Sequence, residues 1–104
     1  MEQFAFKMHL NPGMTDEYRK RHDEIWPELS ALLKDVGISD YSIWLDEDTN
    51  TLFAILKRPA NHRMADLPTQ PVMRRWWDYM KDIMASDADG TPTSKPLEKM
   101  FYLA

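Results

Sequence analysis

"ISDYSIWLDEDTNTLFAILK", residues 38–57, decides the fold. Ile43 and Leu45 alternate with Trp44, and a period of two belongs to a strand. "DEDTN" is a polar turn, and "TLFAILK" is a second strand close behind it, so the stretch reads as a β-hairpin. Its strands are apolar at both parities, with Trp44, Phe53 and Ile55 set against Ile43 and Leu45. A hairpin of this kind needs cover on two faces.

Upstream, Phe4, Phe6, Met8 and Leu10 alternate with Ala5, Lys7 and His9, which predicts a first strand over 3–10. Asn11, Pro12 and Gly13 turn the chain, and Thr15 is the expected N-cap of a helix, with Asp16 and Glu17 in its first turn. Tyr18, Ile25, Trp26, Leu29, Leu32, Leu33 and Val36 extend that helix to Val36, and Gly37 stops it. Pro27 lies inside it, so the helix should kink there, or break and restart after Trp26. Downstream, "NHRMADL" suggests a short helical turn. Pro68 and Pro71 frame a second helix over about 69–84, with Val72, Trp76, Tyr79, Met80 and Ile83 on one stripe. "SDADGTPTSKP", residues 86–96, is a polar loop long enough to be functional or disordered, and "LEKMFYLA" is the expected closing strand.

The order is β-α-β-β-α-β, an α+β ferredoxin-like arrangement in one domain spanning 1–104. Two helices cover one face of four antiparallel strands. The other face should be polar, yet Trp44, Phe53, Ile55, Met100 and Tyr102 fall on it. The simplest partner is a second copy about a two-fold axis, so a homodimer is expected.

Composition removes several function classes. With no cysteine there is neither a disulfide framework nor thiolate chemistry, which fits a cytoplasmic setting. No apolar run approaches the ~20 residues of a membrane span. A net charge of −4, and a third strand without the aromatic, glycine-containing signature of RNA-recognition modules, argue against nucleic acid. His9, His22 and His62 have no metal-ligand spacing, so no metal is expected, and no glycine-rich phosphate loop or nucleophile elbow is present.

What chemistry remains centres on "YRKRHDEIWPEL", residues 18–29. His22 lies four residues after Tyr18 and four before Trp26, on the apolar face of the predicted helix. It titrates near neutrality, although a helix histidine that satisfies a backbone carbonyl is the ordinary reading. Trp76 and Trp77 point about 100° apart on a helix. They are either core plus edge packing or a flat apolar wall with two N–H donors, which suits a sugar. Tyr41 can bring a phenol to the end of the sheet, or be an ordinary strand aromatic.

"YRKRHDEIWPEL", "YSIWLD", "LFA", "RWWDYM" and "FYL", in this order and nearly end to end, resemble the L-rhamnose mutarotase family. The resemblance implies a dimeric α+β barrel that interconverts the α and β anomers of L-rhamnopyranose without a cofactor. It implies His22 as general acid, and Tyr18, Tyr41, Trp76 and Trp77 as sugar contacts. Asp23 is a departure, since members of that family often carry Asn there. Two other readings stand beside it: another cofactor-free enzyme on the same scaffold (a monooxygenase or lactone isomerase), and a non-catalytic module using Trp and Met as anchors.

Overall fold

The computed structural model describes residues 1–104. The strands are β1 (Glu2–His9), β2 (Ser39–Asp46), β3 (Thr51–Arg58) and β4 (Lys95–Pro96), and they form one sheet in the order β2-β3-β1-β4. Every pairing is antiparallel. The helices are α1 (Thr15–Asp23), α2 (Pro27–Asp35) and α3 (Pro71–Met80), with a 3-10 turn over Met64–Thr69. The expected β-α-β-β-α-β order therefore holds, with its first helix in two pieces.

The break falls where proline forbids a helix. Trp26 is extended at φ −62°, ψ 130°, and Pro27 becomes the first residue of α2, where its missing N–H costs nothing. Of the two outcomes that Pro27 allows, the chain takes the break rather than the kink. Thr15 is not the cap: Met14 holds that position and no side chain caps the helix. The helix dipole is instead met by Asp16 and Glu17 in the first turn.

Register sets the core. β1 pairs Phe4 with Leu56, Phe6 with Ala54 and Met8 with Leu52, while β2 pairs Ile43 with Ala54 and Leu45 with Leu52. This inner face, under the helices, holds Leu52, Ala54 and Leu56, and they meet Leu29, Met73, Trp76 and Met80. The outer face carries the Trp44–Phe53 pair and Ile55, with Trp44 65% and Ile55 40% exposed.

Three expectations need correction. Tyr79 leaves the buried stripe of α3 and is half-exposed, and Met73 takes its place in the core, because the sheet is met by the Met73–Trp76–Met80 side of the helix. The helix also stops at Met80, four residues early. The closing strand is only Lys95–Pro96, extended by one bond from the Leu97 N–H to the Ala5 carbonyl at 2.8 Å. Past the Leu97 bond the chain makes no further pairing with β1. Residues 97–104 are exposed, with Met100 and Phe101 almost fully so.

Gly37 ends α2 as expected, at φ +108°. A Cβ built there would meet Pro59 Cδ at 3.1 Å and His62 Cβ at 3.3 Å. Gly37→Ala should therefore cost about 1–3 kcal/mol in urea unfolding, from left-handed strain plus crowding. An unchanged midpoint would mean that the turn relaxes freely.

Candidate active site

A cavity of about 1000 Å³ opens between the inner sheet face and the helices. Tyr18, His22, Tyr41, Trp76 and Trp77, which come from α1, β2 and α3, all line it. The structure thus brings the five sequence-selected residues to one place.

α1 supplies a stacked pair. Tyr18 and His22 are one turn apart, their rings 4.2 Å between centroids and 28° from parallel. His22 Nδ1 lies 3.0 Å from the Tyr18 carbonyl oxygen. A carbonyl only accepts, so Nδ1 carries the hydrogen and Nε2 is the free nitrogen of the neutral ring. The ordinary reading of His22, a ring satisfied by a backbone carbonyl, is therefore true of one nitrogen and leaves the other for chemistry. Burial pushes the imidazole below its usual value and outweighs the Tyr18 carbonyl and Asp23, which favour the cation.

α3 supplies the wall. Trp76 is buried and meets His22 edge-on, at 5.4 Å and 89°. Trp77 is half-buried beside it, with the Arg74 guanidinium 5.6 Å from its ring centroid. The helix break moves Trp26 away from the Tyr18–His22 face on which the sequence spacing places it. Trp26 instead packs edge-on against Trp76 at 5.1 Å and stacks on Tyr79 at 5.7 Å. Trp76 thus meets both His22 and Trp26.

β2 supplies Tyr41 through a feature the sequence reading missed. Ser39 pairs with Lys57 and Ser42 with Ile55, so three steps on β2 match two on β3. This is a bulge, and Asp40 carries it at φ +46°. Ile38 is buried before it, and Ile43 and Leu45 face the core after it. Even and odd positions can share a face only because the extra residue flips the parity. The flip sends Tyr41 to the cavity side, and Asp40 is held by Lys57 at 3.2 Å. The signal was in the sequence, as a switch from Ile38 to Ile43 and Leu45. Tyr41 as a whole is 36% exposed, but its phenol is enclosed and burial pushes it up to about 12. Tyr18 is raised too, by burial and then by Tyr41. Both phenols keep their protons at neutral pH and are hydrogen-bond donors.

Residues 86–96 form a built turn at the rim. Asp87 N–H donates to the Thr91 carbonyl at 2.7 Å, Thr93 Oγ1 to Asp87 Oδ1 at 2.7 Å, and Arg74 reaches the Asp89 carbonyl at 3.2 Å. Thr91, Pro92 and Ser94 line the cavity. No group of His, Asp and Glu side chains is arranged to hold a metal ion.

A family model described as L-rhamnose mutarotase matches residues 3–103. An L-rhamnose mutarotase of Sinorhizobium fredii is 61% identical over 104 residues, with both chains fully covered. One of Burkholderia cenocepacia is 62% identical over 103 residues, 99% of each chain. The crystal structure of an L-rhamnose mutarotase from Formosa agariphila superposes with a TM-score of 0.93 at 49% identity, with full coverage of both chains.

The low His22 pKa makes stability depend on pH in a definite direction. The unfolded ring protonates near ~6.5 and the folded ring only below that, so stability present above pH ~6.5 is lost as pH falls through the folded value. Urea midpoints taken from about pH 8 to about pH 5 should fall further for the wild type than for His22→Gln. Parallel losses would place the ring in a water-like setting.

Proposed function

The chain belongs to the L-rhamnose mutarotase family, and from that premise we propose that it interconverts the α and β anomers of L-rhamnopyranose in this cavity. The observation that carries the reading is the half-buried His22, with Nδ1 tied to the Tyr18 carbonyl and Nε2 free, in a cavity that Tyr18, Tyr41, Trp76 and Trp77 also line.

Anomerisation opens the pyranose ring and recloses it on the other face of the aldehyde. On opening, the ring oxygen gains a proton and the anomeric hydroxyl loses one. We assign His22 to the ring oxygen: its imidazolium donates from Nε2 on opening, and the neutral ring takes the proton back on closure. A lowered pKa strengthens the imidazolium as an acid, and the Tyr18 carbonyl fixes the tautomer that returns. Tyr18 and Tyr41 donate to sugar hydroxyls. The Trp76–Trp77 wall takes the C–H face of the ring and gives the 6-methyl an apolar contact. The proton of the anomeric hydroxyl passes to water or to a carboxylate.

His22→Gln should slow enzyme-driven anomer exchange by about 10²–10⁴. Saturation-transfer NMR on L-rhamnose measures it. In the wild type, kcat/KM should fall on the alkaline side with an apparent pKa below ~6.5, set by the free enzyme's His22. A loss on the acid side instead would make the neutral ring a base on the anomeric hydroxyl. Exchange at the wild-type rate in His22→Gln would remove His22 from the reaction.

We also propose that two copies pair through their outer sheet faces as a dimeric α+β barrel. The support is the exposed Trp44 and Ile55, backed by the uncovered apolar tail at Met100 and Phe101. Trp44→Glu with Ile55→Glu should turn a dimer into a monomer in sedimentation, and an unchanged dimer would move the interface elsewhere. No helix is long and apolar enough to cross a membrane, and with no cysteine we place the enzyme in the cytoplasm.

A further inference from the structure

Arg21 is the only charged residue in the buried set, at 8% exposure, and it is the chain neighbour of His22. It points away from the cavity and into the end of α3. Its Nη1 donates to the Tyr79 carbonyl at 2.7 Å and to Asp82 Oδ1 at 2.9 Å, and its Nη2 to Asp82 Oδ2 at 3.3 Å. Its Nε donates to Glu17 at 3.2 Å, one turn back on α1. The guanidinium lies 4.3 Å from the centroid of the Tyr79 ring. Asn11 adds a bond from Nδ2 to the Asp82 carbonyl, at 3.3 Å, on the same end of α3.

A buried guanidinium needs a reason, since desolvating a charge is costly unless every donor is used. Here the use is geometric. α1 ends at Asp23 and the chain then breaks through Glu24, Ile25 and Trp26, so α1 and α2 are separate helices and α1 is not carried by a continuous helix axis. A planar fork that grips one carboxylate at two points and a helix-end carbonyl beside it fixes direction as well as distance. The same fork presses on Tyr79, which packs on Trp26 and on Trp76, and Trp76 meets His22.

We infer that Arg21 is a positioning residue, whose clamp on Asp82 and the Tyr79 carbonyl sets the distance between the His22 ring on α1 and the Trp76–Trp77 wall on α3. It touches no substrate. The inference rests on the assignment of His22 above, and the experiment separates the two.

Arg21→Lys keeps the charge and loses the fork, Arg21→Met loses both, and the milder Asp82→Asn leaves Arg21 in place should Arg21→Met not fold. Each is measured at a temperature where it is fully folded, by anomer exchange on L-rhamnose and by the NMR signals of the His22 imidazole. Arg21→Lys should lower kcat per folded molecule by about 10- to 100-fold, the scale of a misplaced catalytic group, with little change in KM. It should also shift the His22 ring signals, which feel Tyr18 and Trp76. Asp82→Asn should move both readouts the same way and less far. Full kcat and an unmoved His22 signal in folded Arg21→Lys would reduce Arg21 to a stability element and overturn the inference. Wild-type exchange in His22→Gln would overturn the proton assignment instead, and a shifted ring signal in Arg21→Lys would still support the clamp.

Discussion

A proline ring cannot sit in the middle of an α-helix, and the placement of the site follows from that at Pro27. The pyrrolidine has no N–H to give and would strike the carbonyl of Asp23. The chain extends at Trp26 and restarts the helix with proline first. Two short helices then replace one long helix. Tyr18 and His22 stay on the first piece, against the cavity. Leu29 goes with the second, into the core. Trp26, freed from both, packs edge-on against Trp76 on α3, the same ring that His22 meets.

The second irregularity does the same for the sheet. One extra residue at Asp40, in a left-handed conformation that Asp tolerates better than most, reverses the parity of β2. Ile38 and Ile43 both reach the core, and Tyr41 reaches the cavity. The site is thus assembled from a helix break, a strand bulge and a regular helix. Burial lowers the histidine, raises both tyrosines and leaves these three side chains uncharged at neutral pH, in a cavity that Arg19, Asp23, Lys34, Asp40 and Glu47 also line.

Much of this was legible along the chain because it rests on local periodicity. The period-two runs around Ala5, Trp44 and Phe53 are strands, the hairpin joins the expected pair, and Gly37 ends its helix with a positive φ. By type and spacing the five candidate residues had ordinary packing roles open beside them, and their proposed roles came from a family resemblance, whose family the comparisons bear out. The stripe on α3 was read one step off. Periodicity gives the width of an apolar face but not which edge of it meets the sheet, and Met73 rather than Tyr79 is buried. The tail around Phe101 reads as a strand from its residues, but it makes no pairing with β1 beyond Leu97 and stays exposed.

The sequence by itself determined the element order, the place where the first helix fails, and a histidine whose pKa lies near the working range, because these depend on neighbours within a few residues. Only the tertiary structure decided that His22 lines a cavity with Nδ1 tied to a carbonyl, that the bulge delivers Tyr41 to the same cavity, and that Arg21 is buried against Asp82, 61 positions away. Arg21 shows the reason most plainly. In "YRKRHD" it is one cation among several on a polar run, with nothing local to distinguish it from Arg19 or Lys20. Its role appears only when the end of α3 is folded over it, because the fork's partners on α3 are brought to it by a setting that no stretch of sequence contains.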